Sequence, residues 1–213
     1  MEQVDLSQGE LNDHVALAVK AIRDGYIICV PLEHAYVFLT DAFSHFAVRT
    51  MHVLRGDKVG VVAQVLVENL ETVEGLARQV SPEARALMTE FWPGPLSMNL
   101  RPNHGLNWDL GDDRSLDQMS VRVPASTFVL EILKQTGPLA VASAARAQQK
   151  ALRTLVGLLV LESDLAAKFD AGELPEGTPS TVVECDESGL RLVRMGSISF
   201  DEMLAVAPSL SAQ

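Results

Sequence analysis

Two cysteines, Cys29 and Cys185, are too few for a disulfide framework or a cysteine metal cluster, and both sit inside apolar runs. No stretch approaches the roughly 18 consecutive apolar residues of a membrane helix; the longest apolar runs have the length of strands. The opening residues, MEQVDLSQGE, are acidic and polar, which excludes a signal peptide. These absences lead to the expectation of a soluble, cytoplasmic, reduced protein with no membrane partner. Basic residues are also scarce: 17 Lys and Arg stand against 28 Asp and Glu, a net charge of −11. Nucleic-acid affinity depends on cations that neutralise phosphates. The field of so acidic a chain opposes a polyanion, so binding of double-stranded RNA is expected to be weak or absent.

Signature motifs are missing as well. There is no GxGxxG, no glycine-rich phosphate loop ending in Lys-Ser/Thr, no HExxH and no cysteine pair at metal spacing. His45 and His52 are seven residues apart with no third ligand nearby, so surface or packing roles are expected and no metal site. No tightly bound metal or organic cofactor is predicted.

What is present is a chain of 213 residues with 47% hydrophobic content, enough for a sizeable core and read as a single domain over 1–213. Residues 10–24 carry an amphipathic stripe (Leu11, Val15, Ala18, Val19, Ile22) ended by Gly25, which predicts a helix. YIICVP follows as a strand, and Phe43 to Leu54 repeat at helical spacing up to Arg55-Gly56. VGVVAQVLV (59–67) reads as an apolar strand buried on both faces. A polar helix over 69–79 and a helix begun by Ser81-Pro82 come next.

PLSMNLRP, MSVRVP and PLAVAS read as strands and STFVLEILKQTG as a helix. STVVECDESGLRLVRMGSI reads as a hairpin, and Ser199 with Glu202 as a capping box. The segment 103–117 is a long loop that is expected to be functional or mobile. Helices alternating with strands and hairpins predict a mixed α/β domain with a twisted, partly antiparallel sheet.

Several polar residues interrupt apolar patterns. Arg122 in SVRVP and Arg194 in LVRMG need a carboxylate or phosphate partner to offset desolvation, either a ligand or an internal Asp or Glu. Ser180 in PSTVV and Ser143 in PLAVASAARAQ stand near strand ends. Ser97, after the rigid WPGP turn, either offers its hydroxyl to a ligand or faces solvent, and Trp92 reads as the buried anchor of that corner.

The blocks VPLEHAYVF, LRGDK, FWPGPLS, SVRVP, PLAVASA, PSTVVE and LRLVRMGSIS resemble, in order, the YrdC-like threonylcarbamoyl-AMP synthases. The resemblance spans roughly residues 10–200. It implies a YrdC-like twisted mixed sheet with flanking helices around a large concave cavity. It implies the condensation of L-threonine, bicarbonate and ATP (with Mg²⁺ as part of the substrate) into threonylcarbamoyl-adenylate for tRNA modification. A protein partner in a tRNA-modification complex is a further implication. By resemblance, Arg55, Lys58, Ser97 and Arg194 are the ATP/phosphate-binding candidates, and Arg122, Ser143 and Ser180 the threonine-binding ones; no residue is assigned as the catalytic group.

The chain also departs from the family pattern. Pro31-Leu32-Glu33-His34-Ala35-Tyr36-Val37 replaces Pro-Thr-Asp/Glu-Thr-aromatic-Gly, and Ala145 replaces the Asn of Ser-Ala-Asn. The family's Lys-x-Arg pair falls on Arg55-Gly56-Asp57, an anion in place of the second cation unless Lys58 fills that place by a one-residue shift. One charged hydrogen bond to a transition state is worth about 2–4 kcal/mol, roughly a factor of 30 to 1,000 in rate. A synthase with weak or lost catalysis is therefore expected. A non-catalytic nucleotide, small-ligand or protein-binding module on the same fold is the alternative, and an active synthase rebuilt on Arg55, Lys58 and His34 is a third reading.

Overall fold

The computed structural model describes residues 2–112, 117–161 and 163–212. In chain order the elements are β1 (Glu2–Asp5), α1 (Leu11–Arg23), β2 (Ile28–Pro31), β3 (Tyr36–Asp41), α2 (His45–Arg55), β4 (Gln64–Leu66), α3 (Leu70–Leu76), β5 (Ala77–Arg78) and α4 (Pro82–Phe91). They continue with β6 (Leu96–Pro102), β7 (Met119–Arg122), α5 (Thr127–Thr136), β8 (Leu139–Ser143), a 3₁₀ turn (Leu155–Gly157), β9 (Ala167–Asp170), β10 (Thr181–Asp186), β11 (Gly189–Arg194) and α6 (Phe200–Val206). One mixed sheet runs in the order β1-β9-β2-β3-β8-β4-β7-β6-β10-β11, and β5 pairs β6 at the side. The expected mixed α/β architecture of twisted sheet and flanking helices is the one observed.

Strand alternation explains how the sheet is covered. Ile28 and Val30 on β2 and Val37 and Leu39 on β3 point to a layer formed by the apolar stripes of α1 and α5. Cys29, Tyr36 and Phe38, the intervening residues, point to the larger core that holds Val48 and Met51 of α2, Leu87 and Met88 of α4 and Met203 of α6. Ser81 caps its helix as expected, and Ser44, Asn69 and Ser126 do the same: each accepts a backbone N–H from the first turn. Ser199 and Glu202 close a reciprocal capping box.

Two expectations are corrected. The run 59–67 is a strand only over Gln64–Leu66. Val59 is 99% exposed, and Gly60 at φ 88° turns the chain before the sheet begins, so apolar content alone did not make a strand there. The polar helix over 69–79 stops at Leu76, where β5 takes Ala77 and Arg78 to the edge of β6. The strands β1, β3 and β9 carry no period-two signal strong enough to be read beforehand; β3 is buried on both faces, and β1 and β9 are four residues each.

Part of the long loop lies in 113–116, outside the described residues. Its described start packs on α2, not on the cavity discussed below. Trp108 is buried against Phe43, Asp109 pairs with Arg49, and the Leu110 carbonyl faces His52 Nε2 at 2.9 Å.

Candidate functional site

The site forms where the ends of β4, β7 and β8 meet the turn before β10 and the end of β11. A cavity of about 300 Å³ is lined there by Arg122, Ser143, Ser180 and Arg194, together with Gln64, Glu33 and His34. Ser97 lies beneath its floor, fully buried on β6, which pairs in parallel with β10. Five residues picked from five separate sequence blocks are thus brought to one place, Ser97 as the layer under the wall.

Local chemistry explains each position. Arg122 ends β7 and is 6% exposed. Its Nε donates to the Gly94 carbonyl of the WPGP turn at 2.8 Å, and Nη2 meets Glu33 Oε1 at 2.6 Å. The open question of its partner is answered by an internal glutamate, whose Oε1 also accepts from Ala125 N–H at 2.7 Å. Glu33 Oε2 is buried without a protein partner among the described residues. The WPGP corner thus acts through its backbone, while Trp92 anchors it by donating from Nε1 to the Leu96 carbonyl at 2.7 Å.

Arg194 donates to the Ser180 carbonyl at 2.8 Å and to its hydroxyl at 3.1 Å. This contact requires the glycine two residues later. A Cβ on Gly196 would fall 2.2 Å from the Pro179 carbonyl oxygen and 2.4 Å from the Ser180 carbonyl carbon, so only glycine lets the two segments approach. Ser143 accepts the Ala145 N–H at 3.2 Å in a local turn, so the loop after β8 is closed by its own serine, with alanine in the next positions.

Arg55 and Lys58 are not on this cavity. Arg55 lines a larger neighbouring cavity of about 720 Å³ with Arg146 and Lys150. Its guanidinium is committed to the protein: it donates to Asp57 Oδ2 at 2.9 Å, to the Ala145 carbonyl at 2.9 Å and to the Ser143 carbonyl. Lys58 lines a third cavity of about 390 Å³ beside α2, with Val53, Val59 and Val61. Asp57 is 4% exposed at its side chain and takes His52 Nδ1 at 2.9 Å on the same oxygen that accepts from Arg55. Burial pushes its carboxyl up, but the bonds and charges of Arg55 and His52 outweigh that and hold it below the usual carboxylate range.

Sequence reasoning missed Gln64, Glu33 as a partner of Arg122, and the cations Arg146 and Lys150. The signal for Gln64 was its standing as the one polar residue in VGVVAQVLV; the signal for the cations was their place in the loop that continues PLAVASAARAQQK. Cys29 is no nucleophile: burial pushes its thiol up to about 12. Among the described residues no group of three His, Cys, Asp or Glu side chains could hold a metal, and no helix is long and apolar enough to cross a membrane.

Comparison with known proteins adds the family. A family model for Sua5, YciO and YrdC, described as “Telomere recombination”, matches residues 20–196. A putative threonylcarbamoyl-AMP synthase of Mycobacterium leprae is 33% identical over 199 residues, 92% of this chain and 90% of that protein. A threonylcarbamoyl-AMP synthase of Pyrococcus abyssi is 25% identical over 191 residues, 89% of this chain and 56% of that protein. The crystal structure of P. abyssi Sua5 complexed with L-threonine superimposes with a TM-score of 0.86 at 24% identity, over 100% of this chain and 62% of that one. E. coli YciO superimposes with a TM-score of 0.78 at 18% identity, over 95% of this chain and 98% of that one.

Proposed function

The chain belongs to the Sua5–YciO–YrdC family, and on that premise we propose that its central cavity binds L-threonine while its phosphate-gripping end supports weak or no threonylcarbamoyl-AMP synthesis. One observation carries the reading: Arg122, Ser143, Ser180 and Arg194 line a single cavity. Guanidinium groups and hydroxyls converging on one concavity suit a carboxylate and its neighbouring polar groups. The relatives named as synthases and the P. abyssi structure with L-threonine supply the ligand.

In the reaction the carbamate oxygen formed from threonine and bicarbonate attacks the α-phosphate of ATP, and pyrophosphate leaves. Positioned cations stabilise that transfer. In this reading the phosphates lie in the larger cavity with Arg55, Arg146 and Lys150. Asp57 adds an anion beside Arg55, whose Nε and Nη1 donors are already engaged. Mg²⁺ arrives with ATP and not on a protein site. The single domain, its cytoplasmic location and a role in supplying a tRNA-modification step are part of the same proposal; binding of double-stranded RNA is not, given the net charge of −11.

Pyrophosphate release with ATP, Mg²⁺, L-threonine and bicarbonate tests the reading, with the P. abyssi synthase as comparator and calorimetric titrations of L-threonine and ATP alongside. Expected are threonine binding and turnover at least about 30-fold below the comparator. Equal turnover overturns the weak-catalysis half, and absent threonine binding overturns the site. The second reading, a ligand-binding module without catalysis, is favoured by the engagement of Arg55 and gives ATP binding with no pyrophosphate.

A further inference from the structure

Gln64 opens β4, paired with Val141 of β8, and lines the cavity half-buried. Its amide nitrogen lies 2.9 Å from Ser97 Oγ and 3.0 Å from Ser120 Oγ. Ser97 Oγ lies 2.9 Å from Ser180 Oγ, which also accepts from Arg194 Nη2 at 3.1 Å. A polar chain therefore runs Gln64–Ser97–Ser180–Arg194 behind and along the cavity wall.

The proton count in this chain is constrained. The Gln64 amide nitrogen and the guanidinium only donate, so each serine oxygen accepts from one end of the chain. A single proton lies between the two serines. Ser97 is 0% exposed and, among the described residues, has Ser180 as its remaining acceptor, so its proton goes to Ser180. Ser180, 8% exposed and on the cavity wall, keeps its own proton for whatever occupies the cavity.

Gln64 Oε1 is not a buried orphan and has no protein partner among the described residues, which leaves it as an acceptor on the same wall. Turning the amide over reverses the bonds among Gln64, Ser120, Ser97 and Ser180 while Arg194 still donates to Ser180: Gln64 then offers N–H to the cavity and Ser180 offers its remaining lone pair. In both senses the wall shows one donor beside one acceptor.

From this we infer that Gln64, with Ser180, is the specificity-determining residue that reads a neutral hydroxyl on the ligand. A hydroxyl both donates and accepts and satisfies the pair. A methyl group in its place leaves two polar groups unpaired, the arrangement by which binding sites reject the analogue that lacks the group. The inference rests on the proposal that the cavity binds an L-amino acid and deepens it by naming which residue distinguishes threonine from its methyl isostere, valine.

The test is calorimetric titration of the full chain with L-threonine and with L-valine, for the wild type, Gln64→Met and Ser120→Ala. Expected is at least about a 30-fold preference for threonine in the wild type, falling below about fivefold in Gln64→Met, which keeps side-chain length. Ser120→Ala frees one side of the amide and should give an intermediate ratio. A thermal melt checks that Gln64→Met is folded; if it is not, Gln64→Asn, which withdraws the amide by one methylene, takes its place with the same expected direction. A folded variant that keeps the wild-type ratio overturns the inference and leaves threonine binding standing. A wild type that binds neither amino acid overturns the proposed site and this inference together.

Discussion

Arg122 Nη2 and Glu33 Oε1 lie 2.6 Å apart although 89 positions separate them in sequence. The pair joins the end of β7 to the turn after β2, and its arginine is 6% exposed on the wall of the cavity. A carboxylate built into the protein thus neutralises the guanidinium that a ligand carboxylate would seek.

Replacing Glu33 by Gln separates its two effects. Removing one partner of a part-buried pair should lower stability by about 1–3 kcal/mol, since the Ala125 N–H and Arg122 lose their charged acceptor. The same change leaves Arg122 free to attract a ligand carboxylate, so affinity for L-threonine should rise about fivefold, close to 1 kcal/mol. Denaturant titration and calorimetry read the two; a loss of both stability and affinity would show that Glu33 positions Arg122 instead of competing for it.

Asp57 holds Arg55 in the same manner. In Asp57→Asn the anion beside the larger cavity is gone and Arg55 has weaker ties, so ATP affinity should increase about fivefold. Stability should fall by about 2–4 kcal/mol, because the side chain is 4% exposed and satisfies both Arg55 and His52. Titration with ATP in the absence of threonine reads the first effect and a urea melt the second.

The pH dependence has a defined sign. Asp57 and Asp109 are both held below the usual carboxylate range: burial pushes each up, but Arg55 and His52 outweigh it at Asp57, and the Gly111 N–H and Arg49 do so at Asp109. A depressed folded value means that the unfolded chain binds protons first as pH falls, so the stabilisation is complete above the unfolded value of about 3.9 and is lost as pH drops through the folded one. Urea midpoints at pH 7, 5, 4 and 3 should fall steeply only below about pH 4, and the fall should be shallower in Asp57→Asn. An unchanged slope in that variant would remove Asp57 as a contributor.

Much of this was legible in the residues. Helix starts were readable because a capping side chain sits next to an apolar stripe: Ser81, Ser126 and Ser199 all cap where they stand. Ser143, Ser180 and Arg194 were readable as polar groups at strand ends. The pairing of Arg122 with Glu33 was not, because long-range partners leave no local pattern. Gln64 was lost inside an apolar run, and β3 was missed because burial on both faces erases the alternation that marks a strand. Arg55 and Lys58 fall on different cavities because Gly56 at φ 68° ends α2 between them, leaving Arg55 on the helix and Lys58 beyond the turn.

Gly196 offers the sharpest structural prediction. In Gly196→Ala the new methyl would meet the Pro179 carbonyl oxygen at 2.2 Å, the Ser180 carbonyl carbon at 2.4 Å and the Thr181 nitrogen at 2.5 Å. All three are backbone atoms, so no side chain can swing aside; the segment must move, at a cost of about 3 kcal/mol. The displaced segment is the one that carries Ser180, so threonine affinity should fall with stability. Gly75→Ala is the control: it lies inside α3 with nothing within 4 Å of the new methyl, and it should raise stability by about 0.5–1 kcal/mol without changing affinity. Paired melts and titrations decide it, and a Gly196→Ala protein as stable as the wild type would mean that the 179–181 and 194–198 segments are not packed as closely as the fold requires.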